Sequence, residues 1–143
     1  MIELNKIYHS NCLDLFCQID NDVVQLTICS PPYDSLRVGA YDSLSMIDFL
    51  NIAQELFRVT RQGGVVVWVV GDAVVGGSET GTSFKHALAF RDIGFNLHDT
   101  MIYEKTGTPY PSTNRYCQSF EYMFVLSKGK PKIVNLIKDK PNS

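Results

Sequence analysis

The sequence predicts an α/β domain with a largely parallel sheet, and three observations carry that prediction. Two short runs, residues 23–29 (VVQLTIC) and 65–70 (VVVWVV), are apolar and β-branched almost throughout, as in strands buried on both faces. A segment with apolar residues at helical spacing lies between them, and another follows the second run. Strands that alternate with helices form parallel crossovers, and the ligand crevice of such sheets lies beyond the C-terminal ends of the strands.

Taken in order, residues 6–9 predict a short strand, and residues 12–19 a helical turn with Leu13, Leu15 and Phe16 apolar. Asp20-Asn21-Asp22 is a turn signal before the first buried run. Residues 30–42 form a loop rich in Pro, Gly, Ser and Tyr. Residues 43–61 predict a helix through Met46, Phe49, Leu50, Ala53, Leu56 and Phe57, closed by Gln62-Gly63-Gly64 as a glycine C-cap. After the second run comes a glycine-rich loop, residues 71–81, then a helix from residue 82 to near Gly94. Residues 96–104 and 120–127 are further strands, separated by a polar loop. Beyond Lys128 the chain is rich in lysine and proline and loses periodicity.

A length of 143 residues suits one domain, and 45% hydrophobic with 20% charged residues is ordinary for a globular protein. No secretory signal pattern opens the chain, and its longest apolar run, residues 65–70, is far too short to span a bilayer. A soluble, cytoplasmic protein with no membrane partner is expected. Cys12, Cys17, Cys29 and Cys117 form no CxxC pair and no metal-type spacing with the histidines, which predicts buried, reduced thiols and no metal. Charge is unevenly placed: residues 1–103 carry a balance of −6 and residues 104–143 a balance of +4. The basic end is either a solvated tail or a phosphate-facing surface.

The chemistry concentrates at Ser30-Pro31-Pro32-Tyr33, at the end of the first buried run. Two prolines fix φ and supply no N–H, so the carbonyls of Ser30 and Pro31 point in set directions without local donors competing. The Ser30 hydroxyl is a further acceptor. The Tyr33 ring can stack on a planar ligand, worth about 1–3 kcal/mol for a nucleic-acid base. Acceptors beside an aromatic plate suit an exocyclic amino group on a base. A rigid loop whose tyrosine only packs is the structural alternative.

The stretch VVQLTICSPPY, preceded by KIYHSNCLDLF and followed by QELFRVTRQGGVVVWVVGD, resembles the DNA amino-methyltransferases. So does the later order GTSFKHALAFRDIGFNLHDTMIYEK and NRYCQSFEYMFVLSKGKPK, so the likeness covers almost the whole chain. The SPPY form looks most like the cytosine-N4 branch, whereas the adenine-N6 branch more often has DPPY or NPPY. The resemblance implies a Rossmann-like S-adenosylmethionine-dependent methyltransferase fold and double-stranded DNA as partner, with the target base flipped out of the helix. Ser30, Pro31, Pro32 and Tyr33 would be catalytic: Ser30 and the Pro31 carbonyl hold the amino group while Tyr33 stacks on the base.

Asn11 and Cys12 stand where the family often has an acidic residue that reads the cofactor's adenine, and with Ser30 they are the expected cofactor-binding residues. Arg37, Lys105 and Arg115 are the expected DNA contacts. Asp72 and Glu121 could approach the site, with a helix cap the alternative for Asp72. His9, His86 and His98 are read as structural.

The family's F-x-G-x-G cofactor loop is absent. The resemblance therefore implies a circularly permuted and incomplete domain. Residues 1–128 would be the base-binding half, and residues 129–143 a basic tail leading to a missing C-terminal half. A complementary chain, or self-association through an exposed sheet edge, would follow. Other readings are a non-catalytic subunit that binds DNA or that chain, and a methyltransferase acting on an RNA base or a protein glutamine amide.

Overall fold

The computed structural model describes residues 2–32, 44–107, 114–116 and 118–135. Within them the chain runs α1 (Cys12–Phe16), β1 (Val24–Cys29), α2 (Met46–Val59), β2 (Thr60–Val70), β3 (Val74–Val75), β4 (Ser78–Glu79), α3 (Thr82–Ile93), β5 (Asn96–Glu104) and β6 (Phe120–Ser127). Residues 6–9, expected as a strand, have no sheet partner.

The α2 helix starts at Ser45, whose side chain accepts the Asp48 N–H at 3.1 Å and donates its hydroxyl to the Asp48 carboxylate at 2.6 Å. Its inward stripe is Phe49, Ala53, Leu56 and Val59, all buried. The α3 helix stops at Gly94, whose φ of 126° favours glycine and where a Cβ would come 3.0 Å from the Phe57 ring.

The main sheet has the order β1-β2-β6-β5. β1 pairs with β2 in parallel, while β2–β6 and β6–β5 are antiparallel. The α/β class holds, but the sheet is mixed: one of its three pairings is parallel. Both helical crossovers do bring the chain back in the same direction, so β1, β2 and β5 run together. The exception is β6, which is inserted against them between β2 and β5 and occupies the place a parallel neighbour would have taken.

One face of this sheet is covered. Val66, Trp68 and Val70 of β2 and Phe124 and Leu126 of β6 are buried with Phe49 of α2 and Phe90 of α3. Edge-on aromatic contacts join Phe49 to Phe90 and Trp68 to Phe90, each at 5.2 Å between centroids. By register, the other face carries Leu26, Ile28, Val65, Val67, Val69, Met123, Val125, Met101 and Tyr103. Among the described residues no helix covers it. Leu26 is 55% and Ile28 71% exposed, which corrects the expectation that residues 23–29 are buried on both faces. The apolar composition of a doubly covered strand is present, but among the described residues no second layer lies over it.

The glycine C-cap also needs correction. The α2 helix ends at Val59, and Gly63 and Gly64 lie inside β2. There the pairing with β1 jumps from Val24↔Thr60 to Leu26↔Val65, so the intervening residues of β2 bulge. Gly63, at φ 79°, donates its N–H to the Lys128 carbonyl at 2.7 Å. A Cβ on Gly64 would come 3.0 Å from the Val24 carbonyl oxygen. Close backbone approach, not helix termination, requires these glycines.

Candidate active site

Cys29 pairs with Trp68, so Ser30-Pro31-Pro32 and Gly71-Asp72 leave neighbouring parallel strands at the same end of the sheet. Ser30 and Pro32 are exposed and Pro31 is half-buried. Tyr33 and Arg37 lie outside the described residues.

The start of α1 comes to this same end. Burial, and to a lesser degree the proximity of Cys12, push the Cys29 thiol up to about 11. The start of α1 therefore lies within electrostatic reach of Cys29, the last residue of β1. The Asn11 side chain caps α1, accepting the Leu13 N–H at 3.0 Å. Its carbonyl oxygen keeps a second lone pair for a further donor. Cys12, Cys17 and Cys29 are free thiols, but only Cys29 is partly buried; Cys12 and Cys17 are exposed, contrary to expectation, because α1 buries no residue.

With so little burial of its own, α1 is held by Arg58. The guanidinium donates to the Phe16 carbonyl at 2.8 Å, the Ile19 carbonyl at 2.9 Å and the Asn21 side chain at 2.6 Å. Glu55 receives it at 2.5 Å, and that hydrogen bond holds the Glu55 carboxyl below its ordinary value and the guanidinium above its own. A single arginine of α2 thus fixes the position of the segment that carries Asn11 and Cys12. Helical periodicity gave no sign of it, since Arg58 reads as one more solvent-facing residue.

Asp72 serves as a cap. The N-cap position of α3 is Gly81, which has no side chain, and the Asp72 carboxylate takes its place. It accepts the Ser83 N–H at 3.0 Å, the Ser83 hydroxyl and, at 3.4 Å, the Thr80 hydroxyl. β3 and β4 form a small hairpin between Asp72 and this cap.

The basic residues divide. Lys128 is structural: its ammonium donates to Asp22 and to the Phe57 carbonyl, each at 2.7 Å, and lies 4.6 Å from the Phe57 ring centroid. Lys105 pairs with Glu121 at 2.8 Å while staying partly exposed. Arg115 is exposed and its guanidinium donates to the Gly77 carbonyl at the hairpin tip. His86 is buried in the core. A groove of about 620 Å³ lined by Leu88, Arg91, Asp92 and Phe95 lies at the start of β5, the opposite end of the sheet. Among the described residues there is no group of three metal-type ligands, and no helix is long and apolar enough to cross a membrane.

Residues 24–143 match the family model of the N6/N4 DNA methylases. The chain is 58% identical over 124 residues to the orphan methyltransferase M.BamHII of Bacillus amyloliquefaciens, covering 87% of this chain and 46% of that protein. Among solved structures, the cytosine-N4-specific PvuII DNA methyltransferase superposes with a TM-score of 0.72 at 21% identity, over 87% of this chain and 50% of that one. M1.HpyAVI in complex with SAM superposes with a TM-score of 0.64 at 19% identity, over 96% and 60%. The fold is shared with these proteins, and this chain spans about half the length of the relatives it matches.

Proposed function

This chain belongs to the N6/N4 DNA methylase family, and on that premise we propose that it is the base-binding part of a DNA methyltransferase acting on an exocyclic amino nitrogen. The observation that carries the proposal is the Ser30-Pro31-Pro32 segment at the C-terminal end of a parallel strand, where a ligand crevice belongs. The SPPY form of the loop favours cytosine N4 over adenine N6.

The amino lone pair of cytosine is conjugated into the ring and is a weak nucleophile. The Ser30 hydroxyl and the Pro31 carbonyl accept its two hydrogens and draw the nitrogen toward tetrahedral geometry. The lone pair then becomes available for in-line attack on a methyl group. Tyr33 stacks on the extruded base and fixes its plane. Positioning and electrostatics supply the rate, with no covalent enzyme intermediate. S-adenosylmethionine would supply the electrophilic methyl when bound and depart as the neutral thioether, and the methylated nitrogen would release one of its two protons to solvent. The residues that fit it are Asn11 and Cys12 at the start of α1, with the second lone pair of the Asn11 oxygen open to an adenine amino group. Such a reaction on genomic DNA belongs in the cytoplasm.

A complementary polypeptide completes the domain in this reading. The support is the apolar sheet face that no described helix covers, together with β1, which ends the sheet with no neighbour on its outer side among the described residues. The test mixes the 143-residue chain with the part of M.BamHII beyond the matched segment and measures transfer of labelled methyl groups to duplex DNA. N4-methylcytosine in the product supports the proposal, and N6-methyladenine moves it to the other branch. No methylated base, in a mixture that forms a stable complex, leaves a non-catalytic subunit.

A further inference from the structure

We propose that the β3–β4 hairpin is a DNA wedge, its valines entering the base stack where the target base has left and Arg115 neutralising a phosphate beside it. This rests on the reading of duplex DNA as substrate.

The hairpin pairs Val74 with Glu79 and Val75 with Ser78, around Gly76 at φ 57° and Gly77 at φ 82°. Two left-handed residues in a two-residue turn give a tightly twisted ribbon. Consecutive strand residues point to opposite faces, yet Val74 is 50% and Val75 60% exposed, so the ribbon stands clear of the body on both sides. It is the immediate continuation of β2, and it leaves the sheet at the same end as Ser30-Pro31-Pro32.

Its base, by contrast, is fixed. The Thr80 N–H donates to the Ala73 carbonyl at 2.9 Å, and the Ala73 N–H to the Thr80 hydroxyl at 3.3 Å. Ala73 is buried, and Asp72 ties the same point to the start of α3. Arg115, reaching from the loop before β6, is hydrogen-bonded to the tip through the Gly77 carbonyl. A projecting apolar tip on a rigid base with a cation attached suits a surface that is anionic outside and apolar within. A DNA duplex opened at one step has that character. Proteins that deform DNA insert apolar side chains between base steps, and a base drawn from the helix leaves such a step unstacked. Glu79 sits across from Val74 at the base of the ribbon, and Val75, one residue nearer the turn, leads into the step ahead of Val74.

The test is fluorescence anisotropy of the 143-residue chain with two labelled duplexes, one fully paired and one with a single abasic position. In the abasic duplex the unstacking has already been done, so the chain should prefer it by about tenfold, equivalent to ~1.4 kcal/mol. The double variant Val74→Ser, Val75→Ser should lose that preference while keeping the wild-type melting temperature. Arg115→Ala should weaken binding to both duplexes equally and lower the salt slope by about one. A serine variant that keeps the preference overturns the wedge and leaves the proposed function standing. A wild-type chain that binds neither duplex overturns both. A serine variant that loses binding to the M.BamHII remainder, with DNA preference unchanged, assigns the hairpin to the protein interface instead and likewise overturns the wedge.

Discussion

The indole N–H of Trp68 donates to Nδ1 of His86 at 3.2 Å in the core of the domain. The imidazole is stacked on Phe49, with centroids 3.7 Å apart and planes 7° from parallel. An accepting Nδ1 puts the proton of a neutral imidazole on Nε2. His86 therefore joins β2 to α3 through α2, and its part is structural. His86→Leu keeps the volume but leaves a buried indole N–H unpaired, which costs about 1–3 kcal/mol. Urea unfolding followed by Trp68 fluorescence measures it, and an unchanged midpoint would remove the bond from the account.

Asp72 at the end of β2 caps a helix that has only glycine at its own N-cap. Asp72→Ala should cost about 0.5–2 kcal/mol, as for other lost N-caps. Hydrogen exchange should quicken first at the amides of Ser83 and its neighbours and leave β5 and β6 unaffected. Uniform acceleration across the sheet would show that Asp72 has a wider role than capping.

Glu55 has a pH signature. Its carboxyl titrates below the ordinary 4.5 in the folded chain, chiefly through its hydrogen bond with Arg58. A depressed folded value means that the unfolded chain binds the proton first. The stabilisation is complete above the unfolded value and fades as pH falls through the folded one. Urea midpoints should drop on the acid side of pH 4.5, and Glu55→Gln should flatten that part of the profile. If Glu55→Gln and wild type keep parallel profiles, the Glu55–Arg58 hydrogen bond is not the source of the acid-side loss.

Legibility of the sequence followed where each constraint resides. β5 and β6 are readable to the residue, because each is a self-contained run bounded by a glycine turn or a polar loop. The mixed pairing is not, because β6 takes a place between β2 and β5 that no local pattern encodes. Residues 23–29 are right as a strand but not in burial, since apolar composition does not say whether one face or both are covered, and Leu26 and Ile28 are exposed. Gly63 and Gly64 read as a cap because a left-handed glycine suits a helix end and a bulge equally well. At the site, motif and order point to Ser30 and to the Asn11-Cys12 pair, and the parallel pairing of β1 with β2 adds the end of the sheet at which Ser30 leaves. Arg58 was missed, since its partners lie 37–42 residues away along the chain.

The uncovered sheet face predicts association. Ile28 and Leu26 project from an edge strand whose outer side has no neighbour among the described residues. Sedimentation of the isolated chain should show self-association that rises with concentration. Ile28→Lys should reduce it without lowering the melting temperature, because the side chain is 71% exposed. Ile47→Lys, equally exposed but on the outer side of α2, should leave it unchanged. Equal effects of both substitutions would point to general solubility and not to this face.

The thiols offer a direct probe of the cofactor site proposed at the start of α1. Cys29, raised to about 11, should be nearly inert to iodoacetamide at neutral pH and gain reactivity about tenfold per pH unit until that value. Exposed Cys12 and Cys17 should label first, and peptide mapping separates them from each other and from Cys117. If Asn11 and Cys12 border the cofactor, S-adenosylmethionine should slow labelling of Cys12 in the complex with the M.BamHII remainder. Cys17 lies one helical turn further on, where Arg58 holds the end of α1, and should serve as the internal reference. Equal labelling of Cys12 and Cys17 with and without the cofactor would move its site away from the start of α1 while leaving the base-binding role of Ser30 and Tyr33 untouched.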